Sequence, residues 1–121
     1  MKKILMVIIV ALASALATNA MEMKDYNVFY KLNEKTVFNA LVKYLDVNED
    51  QSNQLAYVFD LTERKLDQAN RRADISAAEK AMNFNLGNVK YLLSETQYRK
   101  YLIILNVSRH SNYEEFIAAN N

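Results

Sequence analysis

No proline and a single glycine, Gly87, occur in this chain of 121 residues. These are the two residues that break helices and shape tight turns most strongly, and average usage would supply several of each. Strand hairpins favour Asn-Gly or Asp-Gly at their turns, and the chain has neither dipeptide. The expectation is therefore an all-α fold: an antiparallel helical hairpin or a small open four-helix arrangement.

The N-terminus reads differently from the rest. Lys2 and Lys3 precede an uncharged run from Ile4 to about Leu16, followed by two small-residue cleavage sites, Ala15-Leu16-Ala17 and Thr18-Asn19-Ala20. Basic start, apolar run and small residues in this order describe a secretory signal peptide, and the run is short for a spanning helix. The expected organisation is a signal peptide over 1–20, a short extended arm over 21–33 and one helical domain over 34–121. Export to the periplasm or beyond follows, with no stable membrane anchor after cleavage. Removing 20 residues, Lys2 and Lys3 among them, leaves 101 residues with 13 basic and 14 acidic side chains. That balance lacks the basic excess of a nucleic-acid binder, and a chain without cysteine gains no disulfide from an oxidising compartment.

The arm rests on Tyr26, Val28, Tyr30 and Leu32, which alternate with Asn27 and Lys31 at a strand-like period of two, spoiled by Phe29. Asn33 then reads as the cap of a first helix over about 34–45, with Val37, Phe38, Leu41, Val42 and Leu45 on one side. Asn48 opens the next. Its side chain is placed to accept from the backbone near Gln51 while Gln51 reaches back, a capping box, and Glu49 and Asp50 suit the positive end of the helix dipole. Leu55, Val58, Phe59, Thr62, Leu66, Ala69 and Ala73 then form one stripe at helical spacing. Asp60 with Arg64 and Asp67 with Arg71 are acid-before-base pairs at i,i+4 on the solvated side.

Ser76-Ala77-Ala78-Glu79 is another capping box, which predicts a break near Asp74 to Ser76 and a helix from about Ala77 to Leu92. Ser94 opens the last helix, with Gln97 completing its box. The apolar arc of the 77–92 segment is wider than one core contact needs, and Ile103 and Val107 add a second strip to the last helix. Met82, Leu86, Val89, Tyr91, Leu93, Ile103 and Val107 are accordingly a candidate partner-binding surface. The alternative is that both helices are central in a compact bundle and these residues are core. Tyr91, Tyr98 and Tyr101 offer a binding platform in the same way, although aromatic residues of this kind are more often core with their hydroxyls at the rim.

Chemistry is harder to find. Asp46-Val47-Asn48-Glu49-Asp50 resembles the start of an EF-hand loop, but Gln51 and Tyr57 stand where that loop needs glycine and a bidentate glutamate. His110 is the only histidine, and there is no cysteine to join it at a zinc or copper site. One glycine cannot build a phosphate-binding loop. No catalytic, metal-binding or cofactor-binding residue is expected, and the chain reads as non-catalytic.

Val47-Asn48-Glu49-Asp50-Gln51 and Leu93-Ser94-Glu95-Thr96-Gln97 repeat one pattern 46 residues apart. An exported, cysteine-free, helical chain with two such motifs resembles the Spy/CpxP-type periplasmic proteins, whose hallmark is a pair of LTxxQ motifs. Asn48 and Ser94 replace threonine here, and Val47 replaces the first leucine. The stretch from Leu93 to Leu102, running on to Val107, also resembles the C-terminal part of small uncharacterised secreted proteins of Bacteroidetes. The first resemblance implies a bent hairpin that dimerises into a cradle for unfolded envelope proteins, working without ATP. The expected function is a small exported binding protein, chaperone-like or linked to envelope stress, with protein partners: an exposed apolar client or a second copy. The other reading is a structural or interaction protein that self-associates, as a homodimer for example, or binds one specific partner.

Overall fold

The computed structural model describes residues 22–110. The segment expected to be a signal peptide lies outside them. A 3-10 turn, Met23–Asn27, leads into α1 (Val28–Leu32), α2 (Lys35–Leu45), α3 (Glu49–Arg72), α4 (Ile75–Leu92) and α5 (Glu95–His110). The described residues contain no strand, and the fold is all-α.

The extended arm is replaced by helix. Tyr26, Phe29 and Leu32 recur every third residue with Val28 beside them, and all four are buried. Helical turns put that set on one side, whereas a strand would turn Phe29 away from Tyr26, Val28 and Leu32. Burying Phe29 decides the matter. Asn33 does not cap α2 either: Glu34 holds that position without a side-chain bond. The Asn33 amide instead donates to Asp60 at 3.0 Å and Glu63 at 3.3 Å on α3.

The long stripe of α3 is buried from Leu55 to Ala69 as expected. Ala73 leaves it, because Ala73 adopts the left-handed conformation (φ 52°) that ends the helix. The amides of Ala73 and Asp74 turn back to the carbonyls of Asn70 (3.1 Å) and Ala69 (2.9 Å), satisfying the last turn. Asp74 then caps α4, its carboxylate accepting from the Ala77 amide at 3.1 Å. The break is where the sequence predicts it, but the cap is Asp74 and not Ser76, which lies inside the first turn. Only Asp74 has the extended backbone that an N-cap needs.

α3 and α4 form an antiparallel hairpin, with Thr62 opposite Asn85 and Lys65 opposite Phe84. α1, α2 and α5 pack onto it and enclose the core. Phe59 of α3 meets Phe38 of α2 edge-on at 5.5 Å between ring centres and Tyr101 of α5 at 6.0 Å. The carboxylates of Asp60 and Asp67 serve this packing. They accept from Asn33 and Tyr30 where pairing with Arg64 and Arg71 was expected.

Candidate binding groove and interlocked motifs

Both capping boxes form. Asn48 Oδ1 accepts from the Gln51 amide (2.7 Å) while Gln51 Oε1 accepts from the Asn48 amide (2.9 Å). Ser94 and Gln97 repeat the exchange at 3.2 and 2.9 Å. The two boxes also join each other. Gln51 Nε2 donates to Gln97 Oε1 and to the Leu92 carbonyl, both at 3.0 Å. Gln97 Nε2 donates to the Asp46 carbonyl at 3.0 Å. Each glutamine thus reaches the residue two before the other motif's cap, so the α2–α3 and α4–α5 joints are held by a near-symmetric clasp. This arrangement positions helices and contains no reactive group.

A second polar chain runs through the core. Thr62 and Asn85 are its two buried polar residues. The Tyr101 hydroxyl donates to Asn85 Oδ1, Asn85 Nδ2 donates to Thr62 Oγ1 (3.2 Å), and Thr62 donates to the Val58 carbonyl (2.8 Å). Burial pushes the Tyr101 hydroxyl well above the usual tyrosine range, and it stays protonated as a donor. With its polar atoms paired, the chain fixes the register of α3, α4 and α5. Sequence reading placed Thr62 in the stripe but gave no sign of Asn85, which looks like any surface asparagine until its helix is packed.

The candidate partner surface divides sharply. Met82, Leu86, Val89 and Leu93 are buried and belong to the core, so they are not a surface at all. The wide apolar arc of α4 exists because α4 is covered by α3 on one side and by α5 and the N-terminal turn on others. Val107 is half-buried. Tyr91 is 89% exposed and Ile103 45%. Of the three tyrosines considered as a platform, Tyr98 and Tyr101 are core and only Tyr91 is outside.

Tyr91 borders a groove of about 480 Å³ between α3 and α4. Val58, Leu61, Phe84 and Leu92 form its apolar floor, Tyr57 and Tyr91 its aromatic sides, and Asn53, Gln54 and Asn88 its polar edge. No charged side chain lines it, and neither does any residue of α1, α2 or α5. Tyr57, 66% exposed, is the residue that sequence reading missed. It lies one position before Val58 of the core stripe, so only its exposure beside Tyr91 distinguishes it. The Phe84 ring also carries the Lys65 ammonium 4.8 Å from its centre, a cation–π contact. The volume falls within the range of ligand pockets.

Among the described residues no group of three or more His, Cys, Asp or Glu side chains is arranged to hold a metal ion. Nor is any described helix long and apolar enough to cross a membrane. No protein-family model matches the chain, and no curated protein or solved structure gives a significant match.

Proposed function

We propose that this is an exported, non-catalytic binding protein that holds an uncharged apolar segment of another protein in the α3–α4 groove, in a chaperone-like role. The observation that carries the reading is the pairing of Tyr57 and Tyr91. They are 66% and 89% exposed on either side of an apolar floor, the two most exposed of the large apolar side chains among the described residues. Leaving two aromatic rings in water has no value for the fold, whereas tyrosine gives a binding face large contact area at low entropic cost. The charge-free lining suits clients without charge at the contact. The resemblance carried by the paired motifs points the same way, but the groove differs from an open cradle, since Met82, Leu86 and Val89 of α4 are core.

The test is suppression of aggregation of a chemically denatured client by the mature protein at near-stoichiometric ratio. The wild type is expected to suppress aggregation and a Tyr57→Ala/Tyr91→Ala variant to lose most of that effect while keeping its helical circular dichroism. Equal suppression by both proteins, or none by either, would overturn the proposal.

A further inference from the structure

Both buried side-chain hydroxyls that lack a hydrogen-bond partner among the described residues belong to α5: Tyr98 and Ser108. Tyr98 is only 3% exposed, and an unpaired buried hydroxyl is a cost to the folded state that contact with water removes. Thr62 and Asn85, buried as deeply on α3 and α4, are paired. α5 therefore carries a penalty that the central hairpin does not.

The attachments of α5 are uneven as well. Gln97 donates to the Asp46 carbonyl at 3.0 Å, Lys100 reaches the Tyr44 carbonyl at 3.5 Å, and Tyr101 donates to Asn85. These bonds all start within the first two turns of the helix, and Ser108 lies well past them. Along its length α5 touches α1, α2 and α4, each far more lightly than α3 and α4 touch each other. Low packing density marks the parts of a protein that open before the rest.

We infer that α5 is a strap that opens as a unit, pivoting on the clasp at Gln97 and latched by the Tyr101–Asn85 bond, while the α3–α4 hairpin stays folded. Burial of Tyr101, Ile104 and Leu105 keeps the closed form dominant. Opening gives water to the Tyr98 and Ser108 hydroxyls and uncovers those apolar side chains together with Phe59, whose ring packs against Tyr101. The strap is separate from the α3–α4 groove, to which α5 contributes no residue.

The test is native-state hydrogen exchange of the mature protein in increasing, sub-denaturing urea. In the wild type the amides of residues 99–108 are expected to exchange as one group, faster than those of residues 55–69 in α3 and with a shallower urea dependence. Tyr98→Phe removes the unpaired hydroxyl and keeps the ring, and is expected to slow that group roughly tenfold. Tyr101→Phe leaves Asn85 unpaired and is expected to speed it roughly tenfold. One common protection and urea slope for α5 and α3 would overturn the inference, because α5 would then open only when the whole protein unfolds. Unchanged or faster exchange of α5 in Tyr98→Phe would overturn it too. Wild type and Tyr98→Phe decide the matter by themselves if Tyr101→Phe does not fold.

Discussion

Gln51 and Gln97 each do two jobs with one amide. Within its own motif each accepts from a cap backbone N–H; across the motifs each donates to the other joint. An N-cap contributes about 1 kcal/mol, and each further net hydrogen bond about 0.5–1.5 kcal/mol. Gln97→Ala is therefore expected to cost roughly 2–3 kcal/mol in chemical denaturation, well beyond an isolated cap. A double-mutant cycle with Gln51→Ala should show coupling of about 0.5–1.5 kcal/mol; additive losses of about 1 kcal/mol each would mean that the two motifs act alone. The local half of this arrangement is legible in the sequence because a capping box is an i,i+3 pattern. The join across 46 residues is not, since no local spacing records it. Tyr30 supplies a second prediction at this scale. Burial first, then its bond to Asp67 at 2.7 Å, pushes its hydroxyl up to about 12, and burial does the same for Tyr98. Both pKa values lie above the ordinary tyrosine value near 10, so the folded state holds these protons longer than the unfolded one. Their contribution is fully present below pH about 10 and is lost as pH rises through about 12. Urea midpoints measured across that window should fall, and Tyr30→Phe should make the fall shallower. A midpoint that rises above pH about 10 would contradict the assignment.

Helix boundaries follow from backbone conformation more than from composition. Asp46 and Ala73 hold left-handed geometry, at φ 57° and 52°, at the ends of α2 and α3, where glycine is the usual residue. The chain's one glycine is elsewhere, inside α4. Ala73→Gly is expected to stabilise the fold by up to about 1 kcal/mol, because it relieves the Cβ clash of the left-handed region. A thermal melt checks this, and a lower Tm would show that Ala73 is not strained. Four long helices and their approximate limits were readable from apolar spacing and caps. The N-terminal turn and α1 were not: a few apolar residues at mixed spacing fit strand and helix alike, and only contact with α3 and α4 decides between them. The cap of α4 was misplaced for a related reason, since Asp74 and Ser76 are both good capping residues and the choice rests on where α3 ends.

At the scale of the molecule, the apolar surplus of α4 and α5 is mostly core. Helix amphipathicity shows how much of a helix is covered but not by what, so Met82, Leu86, Val89 and Leu93 could not be told from a binding face before the packing of α1, α2 and α5 was known. Among the described residues, the large apolar side chains left outside are Tyr57 and Tyr91 at one groove, with Ile75 and Ile103 separate from it. On the proposed reading this groove is the binding face, and the core stays closed when it is used. The decisive measurement is the change in backbone amide shifts on titration with a short, uncharged, phenylalanine-rich peptide. The changes are predicted to centre on Asn53, Tyr57, Asn88 and Tyr91; changes centred on Met82, Leu86 and Val89, or on Ile103, would contradict it.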